Sequence, residues 1–90
     1  MNESKFPLGQ VVTTPAAIEA LHPEDMVKCL ARHVAGDWGD TCTEDSEENE
    51  TSLRCGFRIF SVYHDRKEVK FWIITEADRS STCILLPEDY

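Results

Sequence analysis

Residues 57–64 alternate along an extended chain. Phe57, Ile59, Ser61 and Tyr63 fall on one face, and Arg58, Phe60, Val62 and His64 on the other. A polar turn, HDRKE, follows at 64–68. The most continuously apolar run, VKFWIIT at 69–75, reads as a central strand. After the loop EADRSS at 76–81, TCILL at 82–86 forms a last strand that Pro87 ends.

The first half of the chain has a different period. GQVVTT at 9–14 is short and β-branched, which suits an edge strand. Thr14 before Pro15 fits an N-cap with proline at the first helical position, and Ala17, Ile18 and Leu21 continue at helical spacing. Pro23 stops that helix and opens a second, over 23–34. Its apolar stripe is Val27, Leu30 and Val34, widened by Met26 and Cys29, with Lys28 and Arg32 outward and Gly36 closing the end. Thr41 and Glu44 have capping-box spacing, so a third helix is expected over 42–54. Its apolar content is little more than Leu53 and the cysteines at its ends, so docking is expected only near its C-terminal end. The fold class is α+β: a three-stranded antiparallel meander packed against two to three helices, with 9–14 a candidate fourth strand on an edge. The 90 residues make one domain, 1–90, with 1–8 a loose N-terminus.

Charge changes this picture. The net charge is −8, and seven acids fall between positions 37 and 50: Asp37, Asp40, Glu44, Asp45, Glu47, Glu48 and Glu50. That window holds no Lys or Arg, whereas the rest of the chain has ten acids against nine bases. Such a surface does not suit nucleic-acid phosphates, and it fits a protein partner with a basic, nucleic-acid-binding surface. An exposed acidic helix normally gains from interleaved Lys at i,i+4, and none is present here. The plainer alternative is a solvated helix face that serves solubility. Trp38, between two glycines and two aspartates, is either an exposed anchor for a partner or a lid over the core.

Other constellations carry less. Glu76, Asp78 and Arg79 share one loop with Ser80 and Ser81; an enzyme would use an acid there as base and Arg79 as a clamp, and the alternative is a turn that bonds its own backbone. Cys29 and His33, at i,i+4, have the spacing of two metal ligands. Further ligands would have to come from Cys42, Cys55, His22 or His64. The favoured reading makes Cys29 core and His33 a residue near the negative end of the helix dipole, so no metal and no cofactor is expected. Cys29, Cys42, Cys55 and Cys83 contain no C-x-x-C pair and are expected as free thiols. No phosphate-binding, dinucleotide or nucleophile-elbow motif occurs. No apolar run reaches membrane-spanning length and the start has no apolar signal core, so a cytoplasmic location is expected.

Three blocks, FPLGQVVTTPAAIEAL, HVAGDWGD and FWIITEADRSSTCILLPEDY, resemble a family of small proteins from bacterial mobile elements. These are labelled plasmid-related, hypothetical or restriction–modification subunits. The resemblance spans 6–90, and the tail block is its most specific part. It implies a context rather than a reaction, because mobile elements carry small acidic inhibitors of host defence, anti-restriction and anti-CRISPR proteins among them. The leading expectation is therefore a stoichiometric inhibitor of a bacterial CRISPR effector or restriction complex. Its site would be Asp37, Asp40, Glu44, Asp45, Glu47, Glu48 and Glu50, with Trp38 as anchor. The alternatives are a small enzyme or nucleotide-handling protein centred on 76–81 and an accessory adaptor of the element. The 9–14 edge offers a route to a homodimer.

Overall fold

Prolines set the start of the first two helices in the computed structural model, which describes residues 4–90. After strand β1 (Gln10–Thr13), helix α1 (Pro15–Ala20) begins with Thr14 Oγ1 accepting the Ala17 N–H. Helix α2 (Pro23–Val34) begins with the His22 ring accepting the Glu24 N–H. At its end the Gly36 N–H donates to His33 O and the Asp37 N–H to Arg32 O, with Gly36 at φ +88°. This paired closure needs a left-handed residue at position 36, which glycine adopts without a Cβ penalty. Helix α3 (Thr43–Cys55), strands β2 (Ile59–His64), β3 (Lys70–Thr75) and β4 (Ser81–Leu85), and a 3-10 turn (Pro87–Asp89) complete the chain.

The four strands form one mixed sheet in the order β1-β4-β3-β2. β2, β3 and β4 make the antiparallel meander, and β1 joins it on the edge, parallel to β4. The fold is thus α+β, with the N-terminal strand where the sequence placed it. One sheet face carries Ile59, Ser61 and Tyr63, then Phe71, Ile73 and Thr75, then Thr82 and Ile84, and all eight are buried. Ala17 from α1, Leu21 at its C-terminal cap and Cys29 from α2 pack on Tyr63, Phe71, Ile73 and Ile84. A second cluster joins Phe6, Trp38 and Ile59 beneath Leu8 and Leu53.

Three expectations change. Val27 and Ile18 are exposed, because the inward residues of α2 are Met26, Cys29, Leu30 and His33, and those of α1 and its C-terminal cap are Ala17 and Leu21. Each exposed residue lies one position, about 100°, off its buried neighbour. The N-terminal segment is docked from Lys5, whose N–H donates to Val34 O at 2.8 Å, while Phe6 fills the second cluster. Only 1–3 of the segment expected to be loose lie outside the described residues. Finally, α3 starts one turn position later than the capping box implied. Its N-cap is Cys42, without a side-chain bond, and Thr41 Oγ1 pairs instead with Ser46 Oγ at 2.6 Å.

How α3 docks is the larger surprise. Asn49, in mid-helix, is buried; its Nδ2 donates to Phe60 O at 2.6 Å and its Oδ1 accepts the Phe60 N–H at 3.0 Å. Next to it the Asp40 N–H donates to Val62 O, and the Val62 N–H to Trp38 O. Gly39 sits between at φ +71°, where any Cβ would run into Val62 O and the Tyr63 ring. The outward-facing peptide units at Phe60 and Val62 are therefore satisfied, and the β2 edge is covered over this stretch. At the far end of β2, buried Asp65 accepts the N–H groups of His22, Lys67 and Val69 and ties the β2–β3 turn to the start of α2. Arg66 adds bonds from its guanidinium and its N–H to Asp25.

Asn49→Ala removes two hydrogen bonds and leaves the partly buried N–H and C=O of Phe60 without their partner, so it should cost about 1–3 kcal/mol in chemical denaturation. Glu47→Gln, on the exposed face of the same helix, should stay within about 0.5 kcal/mol.

Candidate functional site

The seven acids of the 37–50 window divide into two groups. Three are held by neighbouring side chains while remaining exposed. Asp37 takes two bonds from the Arg32 guanidinium, at 2.8 and 3.3 Å, and one from the Gly39 N–H. The Arg32 hydrogen bond holds the Asp37 carboxyl below the usual carboxylate range, against a smaller effect of burial. Asp40 lies 2.8 Å from His64 Nδ1. Glu50 accepts the Trp38 Nε1–H at 3.0 Å. The other four, Glu44, Asp45, Glu47 and Glu48, are exposed on α3, and among the described residues none forms an ion pair.

Trp38 is not an exposed anchor. It is 6% exposed, stacks on Phe6 at 6.4 Å between ring centroids and meets His33 edge-on at 6.0 Å. Its indole N–H is consumed by Glu50, so it acts as a lid on the second cluster. The aromatic that does stand beside the acids is Phe57, 59% exposed just after α3. Glu44, Glu47, Glu48, Thr51 and Phe57 line one open depression of about 440 Å³. Phe57 escaped sequence reasoning because alternation put it in register with buried Ile59. Gly56, left-handed at φ +77°, turns the chain before β2 begins, so Phe57 lies outside the strand. Asp45 points to the other flank of α3, toward a cavity of about 330 Å³ shared with Arg58, Phe60, Trp72, Ile74 and Tyr90.

The 76–81 loop is occupied by its own structure. Arg79, at φ +61°, sends its guanidinium to four backbone carbonyls, those of Phe57, Glu76, Ala77 and Ser52, at 2.7–3.1 Å. Its charge lies over the Phe6 ring at 5.6 Å. Glu76 lies 3.6 Å from Arg58, and Asp78 accepts the Ser80 N–H in an Asx turn. Arg79 therefore splices the end of α3 to the β3–β4 loop. The loop brings together no base and free cation for an enzyme.

His33 lies in the last turn of α2, as the sequence placed it, but it is fully buried there, bonded to side chains of the sheet. Its Nδ1 lies 2.5 Å from Ser61 Oγ and its Nε2 2.9 Å from Thr75 Oγ1. Thr75 Oγ1 is 2.8 Å from Thr82 Oγ1, and Thr82 donates to Leu8 O at 2.7 Å. One hydrogen per hydroxyl fixes the direction. Thr82 donates to Leu8, Thr75 to Thr82, and His33 Nε2–H to Thr75, which leaves Nδ1 to accept from Ser61. With both nitrogens engaged, His33 is not a ligand in waiting. Among the described residues no three His, Cys, Asp or Glu side chains converge as a metal cage. Cys29 is core, where burial pushes its thiol up; Cys42 and Cys55 are exposed, and all four cysteines are free. No helix among the described residues is long and apolar enough to cross a membrane.

Comparison with protein-family models, curated proteins and solved structures finds no match to this chain.

Burial lowers the His33 pKa to about 4 from its usual 6.5. On acidification the unfolded chain takes up this proton first. The stability due to neutral His33 is complete above pH 6.5 and is lost as pH falls toward 4, by about 2–3 kcal/mol at pH 4.5. The lowered carboxyls of Asp37 and Asp78 titrate below this window. Urea melts between pH 7 and 4.5 should show that slope. His33→Gln should be less stable at pH 7 and show a much flatter dependence. An unchanged slope in the variant would place the acid sensitivity elsewhere.

Proposed function

We propose that this protein acts by stoichiometric protein binding, presenting the outer face of α3 to a basic groove. The supporting observation is the grouping of four exposed carboxylates without cationic partners among the described residues, Glu44, Asp45, Glu47 and Glu48, with exposed Phe57 in the same depression as three of them. An apolar anchor ringed by charge is the usual anatomy of a small, specific interface. Glu44 and Glu48 are spaced i,i+4, so they repel within the helix. Glu47 and Glu48 lie beyond the first turn, where the helix dipole no longer favours acids. These charges lower the stability of the helix, which a surface kept for folding alone would not select.

The target class is taken from the resemblance of three sequence blocks to small proteins of bacterial mobile elements. The partner is a nucleic-acid-targeting defence complex of the bacterial host, a CRISPR effector or a restriction enzyme, whose DNA or RNA channel is basic. The acids held by neighbouring side chains, Asp37, Asp40 and Glu50, shape the platform, and Phe57 takes the anchoring role first given to Trp38. An α3 face seated in that channel excludes nucleic acid by occupying its phosphate sites.

The test is a titration of purified effector or restriction complexes against labelled target DNA. DNA binding should be lost at a one-to-one ratio of protein to complex. Affinity should weaken about tenfold or more between 0.1 and 0.5 M salt, since exposed charge pairs are screened over about a Debye length. Glu44→Gln, Asp45→Asn, Glu47→Gln and Glu48→Gln together, or Phe57→Ala alone, should weaken it by a similar factor with the melting temperature retained or raised. Abolition of activity by substoichiometric protein would replace this reading with an enzymatic one.

A further inference from the structure

We infer that β1 is a self-pairing edge, through which two copies of the chain join their sheets about a two-fold axis at Val12. The inference starts from the inequality of the two edges. The β2 edge is covered at Phe60 and Val62 by Asn49 and by residues 38–40, as described above. The β1 edge has no such cover among the described residues. Gln10 N–H donates to Ser80 O and Thr14 N–H to Ile84 O, so alternation turns Gln10, Val12 and Thr14 toward β4. The peptide groups of Val11 and Thr13 then face outward. Val11 is 42% exposed and Val12 41%.

An open edge is normally blunted by Lys, Pro or a bulge. The four residues QVVT contain no charge and no proline, and their register with β4 runs without interruption. The strand is also self-complementary. In an antiparallel pair centred on Val12, Val11 of one copy lies opposite Thr13 of the other, and each of these two pairs exchanges two N–H···O=C bonds. Four hydrogen bonds result. Val12 faces its own symmetry mate as a non-hydrogen-bonded pair, with Cα atoms about 4.5 Å apart. Its side chain continues the apolar row that runs Phe60, Ile74, Cys83, Val12 across the helix-free face of the sheet, so the row doubles in length across the axis.

Electrostatics permits a second copy as occupant of this edge. At −8 per chain, two copies repel unless their acidic windows stay apart. The strand order places α3 and residues 37–40 beside β2, three strand spacings from β1, or about 14 Å. Pairing through β1 therefore separates the two acidic faces by about 30 Å or more, several Debye lengths at physiological salt. An isologous pair also satisfies both open edges at once and closes, leaving none for further growth. The contact is independent of the α3 face and leaves it free on both copies.

Sedimentation equilibrium of the full chain tests this. A small interface of this kind should associate at about 100 µM rather than at 1 µM, reaching twice the 10.3 kDa chain mass. Val11→Pro removes an outward donor without touching the β4 ladder, and should weaken association at least tenfold while the far-UV spectrum and melting temperature are kept. Register is read separately. In a background of Cys42→Ser, Cys55→Ser and Cys83→Ser, Val12→Cys should form an intermolecular disulfide on mild oxidation, and Val11→Cys should not. A chain monomeric to about 1 mM, a dimer that survives Val11→Pro, or equal cross-linking at both positions would overturn the inference.

Discussion

The chain of hydrogen bonds that runs from Ser61 through His33, Thr75 and Thr82 to the carbonyl of Leu8 is the constraint on which the remaining structure rests. It passes through α2, β2, β3, β4 and the N-terminal segment, so every layer contributes one member. A buried polar group without a partner costs on the order of 1–3 kcal/mol, comparable to a large share of the stability of a domain this small. The chain is therefore all-or-none in practice. Slipping any of the three antiparallel strands by one residue would send its hydroxyl to the opposite face and strand the others. The apolar residues around it are less demanding, since Ile, Leu and Val repack at moderate expense. Register comes from the polar chain and bulk stabilisation from the apolar clusters, with His33 standing where the two clusters meet.

Placing the polar chain in the middle of the sheet leaves the edges to be settled by other means, and they are settled oppositely. β2 is covered by an amide side chain and a returning loop, and that cover is what fixes α3 in place. A helix with so few apolar residues cannot dock by burial alone; Asn49 gives it two directed bonds and Leu53 a modest apolar contact. The acidic face is thus held rigidly outward by a bond on its inner side. Arg79 reinforces the same corner by holding the Ser52 and Phe57 carbonyls at the end of α3. The covered edge, the acidic helix and Phe57 form one structural unit at one end of the sheet, and β1 remains uncommitted at the other.

Patterns internal to one element were legible in the sequence. The Pro-headed helices, the glycine closure after α2, the strand alternation from Ile59 onward and the central position of β3 all depend on neighbours a few residues away. The residues that escaped were those whose partners lie far along the chain. His33 meets Ser61 and Thr75, Asn49 meets Phe60, Asp65 meets His22, and Trp38 meets Glu50. Periodicity assigns such a residue to a face but says nothing about what waits there. His33 lies on the same stripe as Cys29 and Met26, and a histidine on an otherwise apolar stripe was the available sign of a buried polar bond. Phe57 failed in the opposite sense, because alternation was extended one residue past the glycine that breaks it.

The division of the acidic window carries the functional reading further than its total charge does. Seven carboxylates in fourteen residues would favour folding if each found a donor, and three do: Asp37 with Arg32, Asp40 beside His64, and Glu50 with the Trp38 indole. These three sit where the chain turns against the sheet and are accounted for by the fold. The remaining four lie on successive turns of α3, Glu44, Glu47 and Glu48 on one flank and Asp45 on the other, and among the described residues no cation pairs with them. A random drift toward acidity would scatter such charges over the surface, but here three of them gather beside exposed Phe57. Carboxylates gathered around an apolar residue that folding leaves uncovered are what supports the proposal of a surface held for a partner.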